Sequence, residues 1–328
     1  MNGFVARRRR LLGFGAALLG TFAIGRAAAQ GAWPQRPVRL IVPFTPGGPT
    51  DIQARVIAEK LAAQWGQPVV VENRVGAGST IGSAIVARAA PDGYTLLLQG
   101  SAHVTNATLF PSLPYHPVTD FSPIMGISFQ PVILTVHPSV PARSVAEYVA
   151  LAREAPDTMT AGVAGIGNIS HLAGVLLEQQ AGIKLVTVPF GGSSAAQTAL
   201  LGGQIKSSFL NSTLATPFIR DGSLRGLGAS SRGRWRELPD LPTVAEQGYA
   251  DFECTAWYAF LGPAGTPDPI VRKVYEDVRT VLQMQDVKNR LLSSGLDLLD
   301  QPPEEIRRVM VADYDKWADV IRKAGIRL

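Results

Sequence analysis

The sequence predicts an α/β protein of two lobes, each a mostly parallel, doubly wound sheet with helices on both faces. Three observations predict it. Apolar runs of strand length alternate along the chain with stretches whose apolar residues recur at helical spacing, as in a doubly wound sheet. Two strand-and-loop units read almost alike: Leu40-Ile41-Val42-Pro43-Phe44 leads into Thr45-Pro46-Gly47-Gly48-Pro49-Thr50-Asp51, and Leu185-Val186-Thr187-Val188-Pro189-Phe190 leads into Gly191-Gly192-Ser193-Ser194. The alternation is also broken twice by proline-punctuated connectors, at 106–123 and 239–242.

The first 29 residues form an export signal. Arg7, Arg8, Arg9 and Arg10 make a positive region, Leu11 to Ile24 an apolar one, and Ala27-Ala28-Ala29 a small-residue cleavage site. The apolar stretch is shorter than the ~18 residues of a membrane span and is diluted by Gly13, Gly15 and Gly20. Paired arginines suit the twin-arginine route as well as the general one, and the route stays open. Removing the leader takes five arginines from the 31 basic residues and leaves parity with the 26 acidic ones. The basic balance belongs to the leader, so nucleic acid is not an expected partner. About 300 of the 328 residues remain, enough for two domains with full cores. The single cysteine, Cys254, permits no internal disulfide and reads as a buried, apolar-like side chain beside Phe252 and Trp257.

In the first lobe a strand at 39–42 precedes a helix over 51–64, with Thr50 and Asp51 at its N-terminus. A strand at 69–71, a helix at 81–89 and a strand at 94–98 follow, the last ending in Gln99-Gly100-Ser101. After the first connector come strand 131–136, helix 145–152, strand 159–163, helix 169–180, strand 185–190, helix 195–201, strand 205–210, helix 215–220 and strand 224–229. Past the second connector, 254–261 is strand-like and the rest reads as helices at 270–284, 287–292 and 303–324. Helices without strands between them do not make a third domain, so they pack back on the first lobe. The expected division is a signal peptide at 1–29, a first lobe of 30–128 plus 252–328, and a second lobe of 129–251. Two crossings, near 126–132 and 251–256, then form a two-segment hinge, and ligand sites favour such clefts.

A loop that opens a helix leaves backbone N–H groups pointing outward, a natural seat for a carboxylate. One such loop per lobe would grip a small anion. In the first lobe the seat is 46–51; in the second, Gly165-Ile166-Gly167-Asn168-Ile169-Ser170-His171 plays the same part, with Asn168 either capping the helix or facing the cleft and His171 either satisfied within the helix or in contact with ligand. Ser101 and Asn211, each at a strand end, are further candidates. Gly76-Ala77-Gly78-Ser79-Thr80-Ile81-Gly82 imitates a dinucleotide fingerprint, but Glu72-Asn73-Arg74 intervene after the strand, and an exported protein has no ready supply of that cofactor. Elbow and zinc-protease motifs are absent from the sequence, and His103, His116, His137 and His171 show no metal-ligand spacing. No cofactor and no metal are expected, and no catalytic residues.

Arg39 to Phe44 with Pro46-Gly47-Gly48 and Asp51, Gln67 to Arg74 with Gly76-Ala77-Gly78, Ala90 to Leu96, Leu113-Pro114-Tyr115, Asp120-Phe121, His171 to Gly174, Leu238 to Glu246, and Pro263 to Pro267 together resemble the Bug family, the TctC-like periplasmic solute-binding proteins of tripartite tricarboxylate transporters. The resemblance runs nearly the whole mature chain in order. It implies a periplasmic-binding-protein fold of the type II-like, Venus-flytrap kind, with two αβα lobes. It also implies a monomeric periplasmic receptor, not an enzyme, that presents a small carboxylate to membrane permease subunits. That ligand is a dicarboxylate, tricarboxylate, amino acid or aromatic acid. In this family backbone amides and ordered waters hold the carboxylate. Carried onto this chain, the ligand-binding residues are Phe44, Gly47, Gly48, Thr50 and Asp51 in the first lobe, and Gly165, Gly167, Ser170, His171, Gly191, Ser193 and Ser194 in the second. Where relatives read Gly-Gly-Gln-Val-Asp, this chain has Gly202-Gly203-Gln204-Ile205-Lys206, followed by Phe209-Leu210-Asn211. Lys206 and Leu210 near the cleft edge would disfavour an amino-acid ammonium, and Thr45 adds a hydroxyl to the first loop. Two other readings use the same cleft: an exported enzyme acting on a small organic acid or ester, and a receptor feeding a sensor kinase. N-terminal sequencing of the exported protein is expected to begin at Gln30.

Overall fold

The course of the backbone is set by one long strand that belongs to two sheets. The computed structural model describes residues 33–328, so the leader and its cleavage site lie outside the described residues. The chain runs through β1 (Val38–Val42), α1 (Pro49–Trp65), β2 (Val69–Asn73), α2 (Thr80–Ala87), β3 (Thr95–Gly100) and α3 (Ala102–Leu109). Next come β4 (Phe121–Val136), α4 (Val145–Glu154), β5 (Thr160–Val163), α5 (Ile169–Ala181), β6 (Val186–Pro189), α6 (Ser193–Leu201), β7 (Ser207–Asn211), α7 (Ser212–Arg220) and β8 (Arg225–Ala229). The chain returns along β9 (Thr255–Pro263) and ends with α8 (Asp268–Gln283), α9 (Gln285–Ser293), β10 (Asp297–Gln301) and α10 (Pro303–Ala324).

In the first sheet β2, β1 and β3 are parallel, and β9 pairs antiparallel with both β3 and β4. In the second, β6, β5 and β7 are parallel, and β7 and β8 are antiparallel to β4. β4 pairs with β9 from Phe121 to Pro131 and with β7 from Val132 to Val136. The exchange of partners falls at the 131–132 bond, where Pro131 has no N–H to commit to either neighbour.

The first half of β4 departs from the sequence reading, which placed a strand only at 131–136. Pro123, Gly126 and Pro131 argue locally against a strand. Irregularities between Pro123 and Met125 and between Gly126 and Ser128 let the strand pass them, and at Gly126 the Gln301 side chain occupies the space a Cβ would take, 2.5 Å from its Oε1. Two more elements escaped the pattern. α3 lies partly inside the expected connector, and β10, antiparallel to β4, interrupts the supposedly all-helical tail. Of the C-terminal helices, α8 and α9 lie on α1. α10, however, packs on α3, β4 and also α5, where Gln179 Nε2 donates to Val320 O at 2.9 Å. One apolar core therefore runs from Ile41 and Leu97 through Val132 and Leu134 to Leu172, Met310 and Trp317.

The return crossing is tied to β4 by Ser230, which is fully buried. Its N–H donates to Val132 O at 2.9 Å and its hydroxyl accepts from Val132 N–H at 2.9 Å. That hydroxyl also donates to Cys254 O at 2.5 Å, and Cys254 N–H returns a bond to Ser230 O at 2.9 Å. Cys254 is buried, as its neighbours suggested, and burial pushes its thiol up. The arginines around Trp235 are not a free basic patch: Arg232 pairs with Glu253, Arg234 with Glu246 and Arg236 with Asp297, and Trp235 itself is 1% exposed. Ser230→Ala strips partners from two buried backbone groups at once. At about 1–3 kcal/mol for such a loss, thermal melting is expected to show a fall of several degrees with the far-ultraviolet spectrum unchanged.

Candidate functional site

Each parallel strand of both sheets ends where a helix must begin, and this concentrates unpaired N–H groups at one edge of the sheets. A cavity of about 270 Å³ lies there. It is lined by first-turn residues of four helices: Pro49 and Thr50 of α1, Ala102 of α3, Ile169 of α5 and Ser193 of α6. α7 adds its cap, Asn211. Helix geometry leaves the N–H groups of Thr50, Ala102, Ile169 and Ser193 without intrahelical acceptors. α1 and α3 follow strands of the first sheet, α5 and α6 strands of the second. Both sheets thus present the positive ends of helix dipoles to one space.

No lining residue carries a formal charge. Three hydroxyls of the lining are uncommitted: Thr50, Ser101 and Tyr258 are 4%, 6% and 8% exposed, and among the described residues none has a hydrogen-bonding partner for its hydroxyl. Such groups are normally satisfied when buried. Phe44, Leu172 and Ala256 supply apolar wall. Among the described residues no cluster of His, Cys, Asp and Glu could hold a metal ion.

Of the residues singled out from the sequence, Phe44, Gly48, Thr50, Ser101, Gly167, Ser193 and Asn211 line the cavity. The others sit one layer back and shape the loops, or lie beside them. Asp51 is 2% exposed; its carboxylate accepts from Gly47 N–H at 2.9 Å, Asn73 Nδ2 at 2.9 Å and Arg55 Nε at 2.9 Å. Asn73 also donates to Phe44 O, so the whole 44–51 turn hangs on this carboxylate. Gly47 spends its N–H on Asp51 and is itself exposed. In the second loop Ser170 Oγ accepts from Ala164 N–H at 2.9 Å, and His171 Nδ1 accepts from Gly167 N–H at 3.0 Å. Burial pushes the His171 imidazole down, keeping that acceptor unprotonated. Gly165 only shapes this turn (φ +129°), while Gly191 and Ser194 are exposed beside the start of α6.

Gly167 is required twice. Its φ is +76°, and a Cβ would lie 2.7 Å from Leu109 Cδ1 at the end of α3. Asn168 both caps α5, its Oδ1 accepting from Ser170 N–H, and lines the cavity. The departures at 206 and 210 do not act at the cleft edge as expected. Leu210 is in the core and Lys206 precedes β7 at the end opposite Asn211, because strand alternation and direction place them away from the cavity. Thr45 does line it. The dinucleotide-like glycines form a tight turn at 77–79 held by Gln99 and Asn106, outside the cavity lining. The sequence reading missed Gly100, Ala102, Thr105, Leu172, Ala256 and Tyr258. The helix period within 101–109 could have flagged Ala102 and Thr105; nothing local marks Tyr258.

The family model for the tripartite tricarboxylate transporter family receptor, TctC, matches residues 53–326. The chain belongs to that family. It is 33% identical to Protein BugT of Bordetella pertussis over 321 residues, 97% of this chain and 98% of that protein. It is similar in fold to Rpa4515 of R. palustris with adipate, at 34% identity and TM-score 0.76, over 90% of this chain and 100% of the other. MatC of Rhodopseudomonas palustris with bound malate aligns at 33% identity and TM-score 0.73, over 88% and 100%. The two-lobed periplasmic-binding-protein fold expected from the sequence is the fold of these TctC and Bug proteins.

Burial raises the Asp51 carboxyl, but the hydrogen bonds from Arg55, Gly47 and Asn73 outweigh it and hold the group below its ordinary value. Its stabilising contribution is therefore fully present above the unfolded value near pH ~4 and is lost as pH falls through the lower folded value. Asp51→Ala is expected to keep the fold, to cost about 1–3 kcal/mol through the partners it strands, and to flatten the acid limb of a stability-against-pH curve. Calorimetric melts between neutral and acid pH check both. Its effect on ligand affinity, measured by titration, is expected to be a loss; unchanged affinity would remove the 44–51 turn from the binding machinery.

Proposed function

We propose that this protein is a non-catalytic periplasmic receptor that captures a small dicarboxylate between its lobes and delivers it to the membrane permease of a tripartite tricarboxylate transporter. The observation that carries the reading is the convergence of four helix N-termini on one cavity whose lining carries no formal charge. Each N-terminus is equivalent to roughly half an elementary charge, so four oppose about two negative charges, those of a dianion. In a partly buried geometry each contributes up to ~2 kcal/mol, on the scale of the ~8 kcal/mol of a micromolar complex. Backbone donors fixed by helices also need no reorganisation when the anion arrives.

Two further features support the assignment. No acidic side chain lines the cavity, so an amino-acid ammonium would be desolvated without a counter-charge. No carboxylate, imidazole, thiol or amine lines it either, and burial pushes the Tyr258 phenol up, so a bound acid would meet no side-chain base near neutral pH, which favours capture over turnover. Adipate and malate, bound by the two R. palustris relatives, are dicarboxylates of the size in question.

With the lobes taken as 30–128 plus 252–328, and 129–251, closure would bend the two segments clamped by Ser230 and slide α10 on α5. Isothermal titration with succinate, malate, adipate, benzoate and aspartate tests the binding claim. Exothermic binding is expected for at least one dicarboxylate and none for aspartate. At about 100 times its Kd the ligand stabilises by about 2.7 kcal/mol, several degrees in Tm. Silence of succinate, malate and adipate together would refute the reading.

A further inference from the structure

Tyr258 stands apart among the polar side chains of the cavity because it comes from within β9, a strand of the first sheet, and not from a loop or a helix start. β9 alternates in the ordinary way: Trp257 faces α10, where its Nε1 donates to Asp313 at 2.7 Å, so Ala256 and Tyr258 face the opposite side, and both line the cavity. Across the sheet Tyr258 pairs with Gly100 of β3, where a Cβ would meet the ring at 3.4 Å. The ring therefore lies against the β3 backbone at Gly100, and it shares the cavity lining with the first turns of α1 and α3.

The phenol is 92% buried by the complement of its 8% exposure, yet its hydroxyl has no hydrogen-bond partner among the described residues. It is also not one of the fully enclosed, unpartnered polar atoms, a group that includes Trp235 Nε1 and Tyr115 Oη. An uncommitted hydroxyl that still touches open space, on a residue lining the cavity, has that cavity to face. Burial pushes the phenol up, so it remains a donor at any pH the periplasm meets.

We propose that Tyr258 is a specificity-determining residue whose hydroxyl donates a hydrogen bond to a carboxylate oxygen of the bound acid, adding a side-chain donor to the backbone donors of the loops. The inference rests on the receptor reading above. A monocarboxylate that satisfies the loop N–H groups alone would leave this donor unpaired, whereas a dicarboxylate has oxygens for both.

The test is titration of the wild-type protein and Tyr258→Phe with malate, succinate and adipate, and with butyrate and hexanoate as single-carboxylate counterparts. For the best-binding diacid, Tyr258→Phe is expected to bind about tenfold more weakly, the usual scale for a hydrogen bond to a charged group, with ligand-free melting unchanged. Affinity within twofold of wild type for every diacid that binds would overturn the proposal and leave the receptor reading intact. No binding by the wild type would overturn both. A tyrosine ultraviolet difference spectrum of the wild-type protein on adding the best-binding diacid decides independently of how the variant folds: a signal is expected, since Tyr258 is the one tyrosine in the lining, and its absence at saturation would refute the contact.

Discussion

Strand β4 serves two sheets, and most of the molecule follows from that constraint. Because it exchanges β9 for β7 at the 131–132 bond, the two sheets are joined edge to edge through one continuous backbone. Their parallel strands then end at a common crevice. Every βα loop at those ends must turn a helix, and every helix must begin with unpaired donors. The concentration of unpaired backbone donors around the cavity is therefore a property of topology before it is a property of any side chain.

This explains why the charged and strongly polar residues near the site work behind it. Asp51, Asn73, Ser170 and His171 spend their polar atoms on backbone groups of the two loops. A carboxylate placed in the lining would repel the ligand, whereas one layer back it fixes the turn that presents the α1 N-terminus. The same division separates the Ser230 clamp, which ties the return crossing to β4, from the cavity-lining residues. A family that varies its ligand can keep such scaffolding and change only the residues that point inward.

The continuous core adds a condition on movement. α10 rests on α3, on β4 and on α5, so the last helix bridges what the topology separates. Under the proposed lobe division, opening of the cleft would slide this contact or leave α5 with α10 in place. The single Gln179 to Val320 hydrogen bond and the apolar contacts around it can re-form in a shifted register at small cost, unlike the directional bonds at Ser230.

The chain's own residue pattern determined the alternation of strands and helices, the repeated glycine loops, and the family. Those signals are local: the period of apolar residues at 169–180, or the glycines beside Pro49, are read within one element. Half of β4, α3 and β10 were hidden because Pro123, Gly126 and Pro131 oppose a strand locally, and only pairing with β9 and β10 overrides them. Tertiary structure alone decided that Gly47, Asp51, Ser170 and His171 stand behind the cavity while Ser101 and Asn211 line it. It alone brought in Tyr258, because which face of β9 meets the crevice depends on what packs against Trp257 some 56 residues further along the chain. Periodicity identifies a buried face; the partner that buries it is chosen by the fold.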